Sequence, residues 1–132
     1  MTFFARLVSA VFFLASATAE GWAQPVTPTG LWESTDGNTH YAVSLCGDGT
    51  QLCAYLIWID PQVVNNNNRR FLNTSIFRFL DRTGPGRWEG EIVVDGRAVQ
   101  GRVRQIGANE LEVTGCVMVV LCTTGVMPRI GS

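Results

Sequence analysis

From residue 24 onward the chain has no stretch with apolar residues at helical spacing. Short runs in which apolar and polar residues alternate recur instead, about every ten positions, with Gly, Asn, Asp and Pro between them. Alternation of period two gives each run one face for a core and one for water, so the pattern specifies an all-β sandwich or barrel of antiparallel strands. Eight strands are expected, near 29–35, 39–46, 52–60, 70–80, 87–94, 97–106, 110–117 and 121–131.

The hairpins can be set in register from their turns. Asp95-Gly96 suits a two-residue turn with positive φ at both positions. That turn pairs Val94 with Arg97, Ile92 with Val99, Gly90 with Gly101 and Trp88 with Val103, and it sets Glu89 opposite Arg102 as an expected cross-strand ion pair. The next loop, Gly107-Ala108-Asn109, reads as a three-residue turn with Asn109 in the left-handed region, pairing Val103 with Val113, Arg104 with Glu112 and Val99 with Val117. Both registers turn the same residues of the middle strand inward, which ties turn chemistry, face pattern and charge pairing to one answer.

A loop over Asp48–Gln51 would place Leu45, Val43 and Tyr41 opposite Ala54, Leu56 and Trp58, and Cys46 directly across from Cys53. Directly opposed residues on antiparallel strands stand near disulfide distance, so a Cys46–Cys53 bridge is expected, with about 2–3 kcal/mol of stabilisation in the chain-entropy account. A continuous strand would hold Cys116 and Cys122 about 20 Å apart, so a bridge there requires a turn within Val117–Leu121. Four cysteines allow three pairings, and sequence leaves the crossed ones open.

The N-terminus reads as a targeting segment. Arg6 is followed by an uncharged run over Leu7–Ala17 too short to span a bilayer, then by small residues that offer cleavage after Ala19 or Ala23. A signal peptide over 1–23 and one mature domain over 24–132 are expected, with no transmembrane span after cleavage and a periplasmic or secreted location. Four cysteines in an exported chain favour disulfides over a metal site. The formal charge of −1 leaves no basic footprint, so a nucleic-acid partner is not expected.

Gly30-Leu31-Trp32, Cys46-Gly47-Asp48 with Leu52-Cys53, Trp88-Glu89-Gly90, and Gly115-Cys116 with a late Arg129 occur in an order that resembles the domain-of-unknown-function family 2147 across most of the mature chain. The resemblance implies a small exported bacterial protein of no established activity, folded as a lipocalin-like up-and-down β-barrel. It departs from the family pattern at Asn65–Asn68, Leu72-Asn73-Thr74, Val93-Val94-Asp95 and Met127-Pro128-Arg129, which fall in loops and strand ends. The wider likeness to lipocalins implies that Trp32 lies under a closed barrel end with Arg129 over its ring. That is a structural closure rather than a catalytic pair.

Chemistry-bearing residues are sparse. His40 is the only histidine and no nucleophile motif accompanies it, so it reads as an exposed loop residue beside the turn Asp36-Gly37-Asn38. The cysteines are spaced more widely than paired zinc ligands, and the carboxylates are scattered over turns. No catalytic residue, metal ligand or cofactor is expected. Asn65–Asn68 with Arg69-Arg70 reads as a solvated long loop. Barrel-interior candidates for a ligand site are Tyr41, Leu56, Trp58, Phe77, Trp88, Ile92 and Val103, with Phe79 on the same strand as Phe77. The expected function is a non-enzymatic binding module for a small apolar or amphipathic ligand. The alternatives are a packed structural or interaction module using the apolar tip Val117–Leu121 as a protein contact, and, less favoured, an envelope hydrolase.

Overall fold

A computed structural model describes residues 26–132; the expected signal peptide, 1–23, lies outside the described residues. Eight antiparallel strands, β1 (Gly30–Glu33), β2 (Thr39–Cys46), β3 (Gln51–Ile59), β4 (Ser75–Gly84), β5 (Arg87–Val94), β6 (Arg97–Gly107), β7 (Glu110–Met118) and β8 (Leu121–Gly131), follow one another round a closed barrel. The single helix among the described residues is the one-turn α1 (Asn66–Arg69) between β3 and β4. β8 closes on β1 by pairing Leu31 with Gly131 and Trp32 with Arg129. The up-and-down antiparallel barrel expected from the alternation is the fold found, and closure leaves no unpaired strand edge.

The Asp95-Gly96 turn is as its chemistry requires, with φ of 49° and 78°. It sets Val94 against Arg97, Ile92 against Val99, Gly90 against Gly101 and Trp88 against Val103. The next register also holds, Val103 to Val113 and Arg104 to Glu112. The turn itself differs, because Gly107 still pairs with Glu110 and only Ala108-Asn109 turn. Asn109 does not enter the left-handed region, since a bulge between Gln105 and Gly107 supplies the extra residue. Glu89 stands opposite Arg102, but the ion pairs of this wall are Arg78–Glu91 at 2.6 Å and Arg104–Glu112 at 3.3 Å.

Three further expectations are corrected. The β2–β3 turn is Gly47–Thr50, so Cys46 faces Gln51, Ser44 faces Cys53 and Val43 faces Ala54. Cys46 and Cys53 are bonded on the diagonal, with Cα atoms 5.9 Å apart. Because the shift is of two residues, the inward face is unchanged as far as Leu56. A bulge between His40 and Tyr41 then pairs Tyr41 with Leu56 but His40 with Trp58, so Trp58 leaves the inner face and Ile59 takes it. The fourth strand starts at Ser75 rather than near 70, because Asn65 caps α1: its side-chain oxygen accepts from the N–H groups of Asn67 and Asn68, both at 2.9 Å, while the Asn68 carbonyl oxygen accepts from the Asn65 N–H at 2.7 Å. Finally, Phe79 takes φ of 48° in a bulge and is exposed, while Phe77 and Leu80 on either side point inward.

The second bridge joins Cys116 to Cys122, which are directly opposed below a turn at Val119-Val120. The core is one cluster, centred on Trp32, Leu52, Leu80, Trp88, Ile92, Val103 and Leu111. Trp32, Leu52, Leu80, Trp88 and Leu111 fill the end of the barrel where Gly47–Thr50, Pro85-Gly86 and Ala108-Asn109 turn, and Leu56, Ile59, Ile76, Ile92 and Met127 continue the cluster towards the other end. At the opposite end the connections are Ser34–Asn38, the segment carrying α1, Asp95-Gly96 and Val119-Val120.

Candidate functional site

The filled end is held shut by Arg129. Its guanidinium lies 4.3 Å from the centre of the Trp32 ring, which is fully buried. The same group donates to the backbone oxygens of Ala108 at 2.9 Å, of Thr29 at 2.7 Å and of Thr27, drawing the segment before β1 and the β6–β7 turn onto the last strand. Trp32 in turn donates its indole N–H to the Pro28 oxygen at 2.9 Å. Gly30 explains the Gly-x-Trp pattern: its φ is 151°, and a Cβ there would meet the Arg129 guanidinium and stand 2.7 Å from the Gly131 oxygen. The cation over the indole and the three carbonyl bonds make this end a staple, beside which a hollow of about 600 Å3 lies among Pro28, Thr50, Pro85, Gly86 and Gly107.

The open end has room. One cavity, of about 640 Å3, has an apolar floor that includes Leu56, Ile59, Phe71, Ile76 and Val93, and a polar rim from Asp36, Asn38, Asn65, Asn67, Asn68, Arg70 and Asp95. A second, of about 590 Å3, runs along the inner faces of β5–β8 and is lined by Ile92, Val94, Val99, Val113, Val117 and Met127, with Ser34, Thr35, Thr123, Asp95 and Arg97 towards its mouth. Both volumes fall within the range of small-molecule sites. Tyr41 and Asp95 border both cavities. Gly115 and Gly125 also line the second and let its walls approach closely: a Cβ at Gly115 would stand 3.4 Å from Ile92, Val94 and Val99, and one at Gly125 2.8 Å from the Thr35 hydroxyl.

Tyr41 is a half-buried polar residue between the two cavities. It is the cross-strand neighbour of Trp32, and its phenol accepts a hydrogen bond from the Thr39 hydroxyl at 2.9 Å, which leaves its own O–H able to donate into the cavity. Burial pushes the Tyr41 hydroxyl above its ordinary value of 10.0, so it stands as a neutral phenol. At the rim, hydrogen bonds from the Ser34 hydroxyl at 2.6 Å and the Asn38 N–H at 3.0 Å hold the Asp36 carboxyl below its ordinary 3.8.

Of the interior candidates read from sequence, Tyr41, Leu56 and Ile92 border the cavities. Phe77, Trp88 and Val103 are buried in the packed core and line neither cavity; Trp88 donates its indole N–H to the Thr50 oxygen at 2.8 Å near the filled end. Trp58 sits on the outer face, stacked on His40 with ring centres 4.1 Å apart. His40 is a half-buried strand residue rather than a loop residue, and its Nε2 lies 2.9 Å from Glu33. This outward trio borders neither cavity.

Sequence reasoning missed Thr39, Phe71, Ile76, Val93 and Val113 as lining residues, although the Val103–Val113 register already turned Val113 inward. It also missed that Asn65–Asn68 forms a capped turn at the mouth, whose only signal was an Asn three residues before another Asn. Among the described residues no group of three His, Cys, Asp or Glu could hold a metal ion, and no helix is long and apolar enough to cross a membrane.

No curated protein matches the sequence. Among solved structures the chain is similar to protein HP1028 from Helicobacter pylori, described as belonging to the lipocalin family, with a TM-score of 0.58 and 18% identity over 80% of this chain and 84% of that one. At that identity the likeness establishes the fold, a lipocalin-like barrel. The family model described as "Uncharacterized protein conserved in bacteria (DUF2147)" matches residues 30–129, from the glycine beneath Arg129 to Arg129 itself, and the chain belongs to that family.

Proposed function

We propose that the protein is a non-enzymatic carrier or sensor of a small apolar or amphipathic molecule, held at the open end of the barrel. The observation that carries this reading is the pair of cavities meeting at Tyr41, with aliphatic walls on either side of its hydroxyl and charged groups towards the rim. Aliphatic walls recognise an alkyl or isoprenoid-like body through its buried area. Tyr41, Asp95 and Arg97 then offer one neutral donor, one anion and one cation to a polar end group. The Ser34 hydroxyl at the mouth has the Asp36 carboxylate beside it, but that carboxyl is held below its ordinary value and is a weak base, which supports binding rather than turnover.

Export supports the same reading. Both cysteine pairs are bonded, and such bridges persist in the periplasm or outside the cell. The residues before 24 supply the signal expected from sequence. The direct test is native mass spectrometry of the protein purified gently from its own envelope fraction. A reproducible added mass, lost on denaturation and lost again in a Val99→Trp variant that fills the second cavity, is the expected result. Retention of the same mass by that variant would place the ligand elsewhere.

A further inference from the structure

The turn between β7 and β8 has none of the Gly, Pro, Asp or Asn that each of the other hairpin turns contains. Asp95-Gly96 supplies two residues suited to positive φ, whereas Val119-Val120 are β-branched, and neither takes positive φ. They belong to a continuous apolar run, Val117–Leu121, whose members are 60% to 97% exposed. The run cannot fold back to bury itself, because the Cys116–Cys122 bridge fixes the two strands directly beneath it. A fold that gives up favourable turn residues in order to hold aliphatic side chains in solvent places them there for a partner.

We propose that this tip inserts into the surface of a lipid bilayer. Its shape favours lipid over protein. It is a convex point of five side chains, while a stable protein interface, including one with a second copy, engages about 20–30 residues a side. Lipid needs no matching surface. From the disulfide to Val119-Val120 is three residues, about 10 Å at about 3.3 Å each, which matches the depth of about 5–10 Å at which apolar faces rest at the headgroup and acyl boundary. The neighbouring hairpin adds half-exposed Val94 and Arg97, which with Val117 line the second cavity. The long stem of Arg97 allows its charge to stay among phosphates while the valines sit below. Insertion would bring the mouth of that cavity to the membrane. The docking itself does not depend on the ligand reading.

The test is flotation of the oxidised protein with vesicles of phosphatidylethanolamine and phosphatidylglycerol, without added ligand, comparing the wild type with a Val119→Asp, Val120→Asp double variant. Both positions are exposed, so thermal unfolding should coincide for the two proteins. The expected result is at least a tenfold fall in vesicle partitioning for the double variant. In a separate Val119→Trp variant the new indole should shift to the blue with vesicles and be quenched by bromine near the top of the acyl chains. Wild-type protein that stays out of the floated fraction, or a double variant that floats equally well, would overturn the proposal. So would a concentration-dependent dimer that the double variant abolishes while vesicle binding is unchanged, which would assign the tip to a second copy.

Discussion

At the filled end of the barrel, Trp32, Leu52, Leu80 and Leu111 are fully buried and Arg129 ties three separate backbone segments together. At the open end, Val93, Val99 and Val113 are only partly buried, and the connections above them are longer or end in exposed aliphatic residues. The same eight strands cross from one end to the other, so the difference lies in side-chain size on the inner face. Large buried residues and a cation–indole staple close the core at one end; smaller, partly buried valines line the cavities at the other. Trp32 and Tyr41, paired across β1 and β2, stand at the division. Stability is therefore concentrated at one end, and the proposed recognition site lies at the other.

The comparison breaks most readily at Trp32. Trp32→Ala removes a fully buried indole and its bond to Pro28, and is expected to cost about 3–5 kcal/mol in chemical denaturation. An effect below about 1 kcal/mol would mean that the filled end does not anchor the fold. Arg129→Met keeps an apolar stem over the ring but loses the charge and the carbonyl bonds, so a loss of about 1.5–3 kcal/mol is expected. Ligand affinity should survive in the folded fraction of either variant.

Tyr41→Phe should do the reverse. Its stability should stay within about 1 kcal/mol of wild type, while ligand affinity falls about fivefold through loss of one donor. The same variant sharpens the pH response. Because burial raises the folded-state value of Tyr41 above 10.0, the unfolded chain ionises first. The contribution is therefore fully present below pH 10 and is lost as pH rises from there through the folded value. Wild-type unfolding followed from pH 9 upward should show this alkaline decline, and Tyr41→Phe should lessen it. The smallest effect is expected at Asp36, whose depressed carboxyl contributes above its ordinary 3.8 and loses that contribution as pH falls below it. Asp36→Asn should therefore reduce the acid sensitivity slightly, screened as the group is by solvent.

The parts of the fold legible in sequence were those governed by local chemistry. Asp95-Gly96 determined every pair read from it, from Val94–Arg97 to Trp88–Val103, because a two-residue turn with both φ positive admits one register. Hairpin placement made the Cys46–Cys53 bridge legible, although the bond is diagonal rather than direct, and left Cys116–Cys122 conditional on the turn that Val119-Val120 supply. What escaped were the bulges. One inserted residue near Ile57 moves Trp58 outward, and another near Phe79 exposes a phenylalanine, because a period-two pattern carries no mark of where one residue is unpaired. The cavities escaped for a related reason. Tyr41, Leu56 and Ile92 could be turned inward by register, but whether the space beside them is filled depends on how opposite walls such as Gly115 and Phe71 meet, which no hairpin rule specifies.

The division between the two ends is tested most directly by amide and methyl NMR while a medium-chain amphiphile is titrated into the oxidised protein. The account expects saturable shifts at Tyr41, Leu56, Ile92, Val99, Val113 and Gly115, with Trp32, Leu80, Trp88 and Leu111 unmoved. Shifts centred on the filled end, or spread evenly over the barrel without saturation, would contradict it.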